Sequence, residues 1–308
     1  MRIFKSMVMI TLLFLFLASC KSNNKETPTA EEPSEVLTKN FIDVLAKDYT
    51  FTVADSIPSG WSTFRMKNTG MMDHFFLLTK LPDTVNIDHY NRDVGGAFGI
   101  AWNAIRDGKS KDEAFGLLGE NLPEWYGSAV AMGGAGLISP GEVAINTMKL
   151  EPGYYVMECY IKAENGQFHT ELGMITPLIV TDEQIDNVPP EADVKLTLTN
   201  EAMQIEGEIT SGKTIFAVHY KEQPPFGLGN DIHIVKVDET TNLDEVAQWM
   251  DWSNLTGMVS PGAPAKFIGG SQEMPAGYTA YFECDLAPGA YAFMAEIPIG
   301  RYEAFKVN

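Results

Sequence analysis

Positively charged residues are scarce in this 308-residue sequence. It has 22 lysines and arginines against 41 aspartates and glutamates, which gives a formal net charge of −19 at pH 7. Binding to nucleic acid is therefore not expected, because neutralising phosphates needs clustered lysine and arginine. An acidic surface instead attracts basic partners and repels anionic lipid headgroups.

Long hydrophobic runs are also missing from most of the chain. Beyond the N-terminus, no stretch reaches the roughly 18 apolar residues that span a membrane. At the N-terminus, Arg2 and Lys5 precede an apolar stretch at residues 7–17, which has the length of a signal-peptide hydrophobic region. The tetrapeptide Leu-Ala-Ser-Cys at residues 17–20 follows and resembles the lipobox of bacterial lipoproteins.

This lipobox resemblance implies that residues 1–19 are a lipoprotein signal peptide and that Cys20 is the lipidated N-terminus. The protein would then be anchored to a membrane by its lipid, outside the cytoplasm, in the periplasm or at the outer membrane. Residues 20–40 are polar and contain proline, which is typical of a flexible tether. The alternative is a plain signal peptide with a coincidental cysteine.

Cysteine is rare, with three in the whole chain. If Cys20 carries the lipid, Cys159 and Cys284 remain in a compartment where disulfides persist. A disulfide between them, free thiols and metal ligation all stay open as interpretations. The chain also lacks C-x-x-C, P-loop, G-x-S-x-G and H-E-x-x-H motifs, so no enzyme activity is predicted.

Two parts of the chain share a pattern of strands and turns. The stretch "IPSGWSTF" at residues 57–64 matches "ITSGKTIF" at 209–216, and residues 133–156 match 269–292 without a gap at an offset of 136. β-Branched and aromatic runs between turn signals predict strands in both copies. Residues 87–126 contain helical spacing instead and predict a helical insertion in the first copy.

The repeat predicts an all-β protein of two tandem Greek-key β-sandwich domains, the first with the helical insertion. The first domain would comprise residues 41–182 and the second residues 193–308. Between them, residues 183–192 are acidic and contain two consecutive prolines, which favours a linker.

Four residues in the first copy have the chemistry of a copper site. His74 precedes an apolar run, Cys159 ends the stretch "GYYVMEC", and His169 and Met174 follow in "HTELGM". Thiolate and thioether suit Cu(I) and imidazole suits Cu(II), so a site built from all of them serves both oxidation states. Singly, each residue is more typical of an ordinary core or surface position.

The order of these residues resembles the cupredoxins, the blue-copper family. In that family one histidine comes from an upstream strand, and cysteine, histidine and methionine follow on one later loop. "PGYYVMEC" resembles the family's strand before the cysteine, and "HTELGM" resembles the end of its ligand loop. Two departures are Phe75, where many members have asparagine, and the nine residues between Cys159 and His169, a longer spacing than in plastocyanin-like members.

The resemblance implies one mononuclear copper ion held by His74, Cys159 and His169, with Met174 as the axial ligand. It implies a one-electron carrier rather than an enzyme, with His169 on an exposed loop as the electron exit and a basic redox partner such as a cytochrome. Two alternatives remain: a protein that captures, stores or delivers copper without redox turnover, and a structural module with a vestigial site.

The second copy lacks this ligand set. The offset of 136 places Ala295 where the first copy has Cys159, and the following segment "PIGRYEAFKVN" contains neither histidine nor methionine. His219 and His233 lie near the region that corresponds to the first histidine. Without a nearby cysteine or methionine we interpret them as ordinary side chains, with a second metal site as the less favoured alternative.

Overall fold

The computed structural model describes residues 41–225 and 227–308. The protein is predominantly β, with 41% strand and 16% helix, as the sequence predicts. The predicted signal peptide, the lipidation site Cys20 and the predicted tether all lie outside the described residues. Within the described part, no helix is long and apolar enough to cross a membrane.

Sixteen strands form among the described residues. They are β1 Phe41–Lys47, β2 Thr50–Thr52, β3 Ser56–Asn68, β4 Leu77–Lys80, β5 Val130–Ala131, β6 Val143–Leu150, β7 Gly153–Glu158, β8 Ile175–Gln184, β9 Val194–Leu198, β10 Met203–Glu206, β11 Gly212–Tyr220, β12 Ile232–Val237, β13 Lys266–Ser271, β14 Thr279–Leu286, β15 Gly289–Met294 and β16 Tyr302–Val307.

The strands make two sheets. One follows the order β10-β9-β11-β14-β6-β3-β8-β7-β4-β5, with β1 and β2 attached beside β3, and the other follows β13-β12-β15-β16. Strand β3 serves both layers of the first half, because residues 60–67 pair with β6 whereas Ser56–Ser59 pair with β8. The change occurs at Gly60, whose φ of +116° favours glycine and whose added Cβ would lie 2.9 Å from the Ile185 carbonyl oxygen.

The predicted helical insertion is present between β4 and β5. It contains α1 Ile87–His89, a π-helical turn Tyr90–Gly95, α2 Gly96–Arg106, α3 Lys111–Asn121 and a 3₁₀ turn Glu124–Ser128. A further helix, α4 Leu243–Trp249, lies in the second half. Helix α3 begins at a capping box in which Ser110 and Glu113 satisfy each other's backbone N–H groups.

The two halves pair their strands in the same way. Gly60 lies opposite Leu150 in the β3–β6 pair, and its sequence counterpart Gly212 lies opposite Leu286 in the β11–β14 pair. Strand β1 runs parallel to β3, and β9 runs parallel to β11. Strand β7 pairs with β4 and β8, and β15 pairs with β12 and β16. The repeat in the sequence therefore corresponds to a repeat in strand pairing.

The halves are joined by direct pairing between counterpart residues. Asn146 of β6 lies opposite Phe282 of β14, and Ala135 lies opposite Ser271. In both pairs the second residue is the first plus the offset of 136, so the contact has a local two-fold symmetry. All described residues fall in one compact unit. The proposed boundary at residues 183–192 stays a prediction.

The close backbone approach at this contact predicts the effect of a small substitution. A Cβ on Gly136 would lie 2.6 Å from the Gly270 Cα, so both backbones would have to separate. We expect Gly136→Ala to lower the free energy of unfolding by about 1–3 kcal/mol, as overpacking does elsewhere. Denaturant unfolding followed by circular dichroism measures the change.

The matched control is Gly119→Ala on α3, where an added Cβ meets no atom within 4 Å. This variant should be as stable as the parent protein or slightly more stable, because alanine favours the helix. Equal stability of the Gly136→Ala protein and the parent would show that the two halves tolerate a wider separation.

Candidate metal centre

Three elements of the first half bring His74, Cys159 and His169 together. His74 precedes β4 and pairs with Ile138 through two backbone hydrogen bonds of 2.8 and 3.1 Å. Cys159 directly follows β7, and His169 lies in the turn that leads to β8. All three side chains are fully buried, and their candidate donor atoms lie within 4.8 Å of one another.

The cysteine sulfur is about equally distant from the two imidazole rings, whose centroids are 5.2 Å apart. The Cys159 Sγ lies 4.0 Å from the Nδ1 of His74 and 3.8 Å from the Nδ1 of His169. A first-row metal ion holds sulfur at about 2.3 Å and imidazole nitrogen at about 2.0 Å, so donors at about 120° around it lie roughly 3.8 Å apart. The three donors therefore fit one metal ion of low coordination number.

Hydrogen bonding gives the two imidazoles little compensation for burial, whereas the Cys159 sulfur also receives backbone hydrogen bonds from Phe75 and Ile161. The sulfur–nitrogen contacts are at the long limit for hydrogen bonds to sulfur, and the Nε2 atoms of both histidines are buried without a partner in the described part of the chain. Buried polar groups without partners are destabilising. A cation bound by the Nδ1 atoms and the sulfur would replace these long contacts with metal–ligand bonds, and each ring would then carry its proton on Nε2.

Burial also sets the protonation of the donors. It lowers the pKa of His74 to about 4 and, together with the neighbouring His74, that of His169 to about 3. Both rings are therefore neutral near pH 7, as metal ligation requires. Burial raises the pKa of the Cys159 thiol to about 12, so a metal ion must displace its proton to bind the sulfur.

Backbone hydrogen bonds hold the segment that carries Cys159, His169 and Met174. The Cys159 N–H donates to the Met174 carbonyl at 3.2 Å, the Met174 N–H donates to the His169 carbonyl at 2.8 Å, and the His169 N–H donates to the Ile161 carbonyl at 2.7 Å. The Thr170 hydroxyl donates to the Cys159 carbonyl at 3.0 Å. The loop is thus fixed at both ends and in its middle.

The second half of the chain supports the same loops. Ser260 donates its hydroxyl to Asp73, directly before His74, at 2.8 Å, and its N–H donates to the Lys162 carbonyl at 2.9 Å. The Lys162 ammonium donates to the carbonyls of Trp252 and Gly257 at 2.7 and 2.6 Å. The second half, which has no Cys-His-Met set, therefore helps to position the loops of the first half that carry His74, Cys159 and His169.

The expectation that His169 is an exposed electron exit was wrong. The loop carries exposed residues such as Glu164 and Glu171, but His169 is not one of them. Its side chain is fully buried, and Tyr49 covers it with a ring-centroid distance of 5.1 Å in an edge-on arrangement. Tyr49 lies 120 residues earlier in the chain, so local sequence did not indicate this cover. His169 therefore has no exposed imidazole edge through which an electron could leave.

Met174 is buried and directly precedes β8, where its backbone bonds to Cys159 and His169. Its role as an axial ligand stays a prediction. Cys159 and Cys284 are both free thiols. The disulfide between them that the sequence left open is therefore not formed. Cys284 contacts the Ile268 carbonyl instead, at 3.8 Å.

A second cluster lies in the other half and was not predicted as such. Asp231, His233 and Glu296 are buried with donor atoms within 4.8 Å of one another. The His233 Nδ1 accepts the Leu137 N–H at 3.0 Å, so the neutral ring carries its proton on Nε2 and donates it to Asp231 at 2.8 Å. Both ring nitrogens are therefore used in hydrogen bonds, which favours a structural network over a metal site.

His219 is not part of that cluster. It lies on β11, where its Nδ1 is 3.1 Å from the Thr279 hydroxyl on the neighbouring strand. The interpretation of His219 as an ordinary side chain agrees with this contact. Asp231 and Glu296 are 65 residues apart in the chain, and no local sequence signal connects them.

This chain has limited similarity to known proteins. No protein-family model matches the chain, and no curated protein matches its sequence. Reduced auracyanin from Roseiflexus castenholzii is 20% identical, over 46% of this chain and 96% of its own, with a TM-score of 0.28. Auracyanin A from Chloroflexus aurantiacus, described as a "blue" copper protein, is 19% identical over 46% of this chain and 98% of its own, with a TM-score of 0.27.

A multicopper oxidase structure is 13% identical and covers 87% of this chain and 88% of its own, with a TM-score of 0.23. TM-scores this low carry no weight for the fold or the function. The function is therefore inferred from the geometry of the donors.

The burial of Cys159 predicts its reactivity. In metal-free protein we expect iodoacetamide to leave Cys159 and Cys284 unmodified under native conditions and to modify both in guanidinium chloride, because the thiolate is inaccessible and scarce in the folded state. Peptide mass spectrometry identifies each modified cysteine. A Glu164→Cys variant, at an exposed position, should react quickly and serves as the control. Equally fast modification of Cys159 would contradict its burial.

Proposed function

We propose that this chain is a copper protein in which His74, Cys159 and His169 hold one mononuclear ion, with Met174 as the axial ligand. The observation that carries the proposal is the position of two buried, neutral imidazoles with their Nδ1 atoms 3.8 and 4.0 Å from one cysteine sulfur. One thiolate and two imidazoles with a weak thioether are the donor set of blue-copper electron-transfer sites.

Bound copper would supply one-electron chemistry, and the chain would keep the donors in place. A site changes oxidation state quickly when its ligands move little, which requires a rigid support. The backbone hydrogen bonds of the 159–174 segment and the hydrogen bonds that connect Lys162 and Asp73 to the second half provide that support. We therefore propose an electron carrier rather than an enzyme.

The finer architecture and location belong to the same proposal. The corresponding strand pairs of the two halves support two tandem cupredoxin-like Greek-key domains, of which the second lacks the copper ligands. We propose lipidation at Cys20 and a place in the cell envelope outside the cytoplasm, from the lipobox resemblance. The net charge of −19 supports a basic redox partner such as a cytochrome and argues against nucleic acid.

Loading with copper tests the proposal directly. The purified protein should bind one Cu(II) and develop an intense visible absorption band from thiolate-to-copper charge transfer. Cys159→Ser should abolish the band because the thiolate is lost. Absorption spectroscopy and metal analysis of the loaded protein provide the measurements.

Cys284→Ser is the matched control, since Cys284 is also a buried free cysteine but lies in the half without the ligand set. Its band and copper content should equal those of the parent protein, and circular dichroism should show that both variants fold. Failure to bind stoichiometric copper would reject the proposal and leave the structural module with a vestigial site.

The burial of His169 favours a second candidate function, the capture or storage of copper without redox turnover. With no exposed imidazole edge, electron exchange across the protein surface has a longer path, and release of the ion requires the loop to open. Both properties suit a protein that retains copper.

Voltammetry separates the two functions. For an electron carrier we expect a reversible one-electron wave. Met174→Leu should raise the reduction potential, because the three donors that remain are sufficient for Cu(I) whereas Cu(II) favours a fourth, and the axial ligand tunes the potential. Met148→Leu, a buried core methionine of the same half, should leave the potential unchanged. Tight Cu(I) binding without a reversible wave would favour capture.

A further inference from the structure

A large cleft lies against the outer face of the β-layer that carries the ligand loop. Its volume is about 1280 Å³, and it is lined on one side by strand residues such as Leu77 and Glu158 and on the other by the helical insertion, including Tyr90 and Phe98. Small-molecule sites typically enclose roughly 300–1000 Å³. The cleft is therefore large enough for a small organic molecule.

Acidic side chains give this cleft a single sign of charge. Glu158, Glu171 and Glu273 line it, and no lysine, arginine or histidine is among its described lining residues. None of the three carboxyl groups forms an ion pair within the part of the chain that the structure describes. Burial, together with the neighbouring Asp231 and Glu158, raises the pKa of Glu273 to about 7, so a bound cation would stabilise its ionised form.

Hydrogen bonds from uncharged donors hold two of these carboxyl groups in place. Tyr90 donates its hydroxyl to Glu158 at 2.5 Å, and Thr170 donates to the same side chain at 3.4 Å. The Gly229 N–H donates to Glu273. Glu158 is 7% exposed, so it is not part of an ordinary solvated acidic surface. The hydrogen bonds from Tyr90 and Thr170 fix the position of its carboxyl group.

Aromatic and apolar walls surround the acids. Phe98, Tyr160, Phe168 and Trp252 line the cleft, and aromatic faces attract cations while they also bury apolar surface. The cleft suits a metal ion less well than an organic cation. Among the described residues, three donor atoms lie within 4.8 Å of one another only in the clusters of His74 and of His233, and neither includes a carboxyl group of the cleft.

We propose that the cleft binds a small organic cation, an ammonium group on an apolar body, with Glu158 and Glu273 as counterions and the aromatic side chains around the body. Glu158 directly precedes Cys159, and the single O–H of Thr170 is shared between the Cys159 carbonyl at 3.0 Å and the Glu158 carboxyl group at 3.4 Å. A ligand bound to Glu158 would therefore contact the residue directly before Cys159, on the face of the strand opposite the candidate metal centre.

Isothermal titration of metal-free protein with phenethylamine tests the proposal. We expect saturable binding of one molecule, at least tenfold weaker binding of the neutral 2-phenylethanol, and no measurable binding of the anion 3-phenylpropionate. Glu273→Gln should weaken phenethylamine binding at least tenfold, because it removes a counterion while it keeps the shape. Glu303→Gln, the same change at an exposed position of β16, should leave the affinity within twofold.

Equal affinity for the amine and the alcohol would overturn the proposal, and so would unchanged affinity in the Glu273→Gln protein. The titration uses protein without metal, so its result does not depend on copper binding. Loss of the copper band and loss of amine binding are therefore separate failures.

Discussion

The hydrogen bond from the Cys159 N–H to the Met174 carbonyl closes the loop on which the candidate centre depends. It joins the end of β7 to the start of β8, two strands that are already paired along their length. His169 lies inside this closed loop and is held by Ile161. Because the two strands cannot slide past each other without breaking the ladder, the sulfur and the imidazole keep their separation.

The support of this loop extends into the half without the Cys-His-Met set. Ser260 and Lys162 connect the segment before His74 and the loop after Cys159 to one stretch of the second half. The second half therefore contributes hydrogen bonds to the loops of the first, although it contains no Cys-His-Met set of its own.

Part of this arrangement could be predicted from sequence. His74 is 85 residues from Cys159, so local pattern alone does not bring these residues together. Their nearness is expected from the resemblance of their order to that of cupredoxin ligands. The repeat follows from matched glycines and tyrosines at a constant offset, which a single sequence contains.

The parts that could not be predicted depend on long-range contacts. Tyr49 buries His169 from 120 residues away, and Asp231 meets Glu296 across 65 residues. The passage of β3 from one layer to the other at Gly60 depends on the approach of Ile185. None of these contacts leaves a periodic signal, because the side chains involved are ordinary in type and spacing.

The pairing of Asn146 with its own counterpart Phe282 has a consequence for assembly. A contact between counterpart surfaces is closed, because each strand edge that it uses is occupied by the other. The edges at the centre of this contact are therefore satisfied in pairs, as they are in a symmetric dimer. Because both halves belong to one chain, the contact forms within the molecule and does not depend on protein concentration.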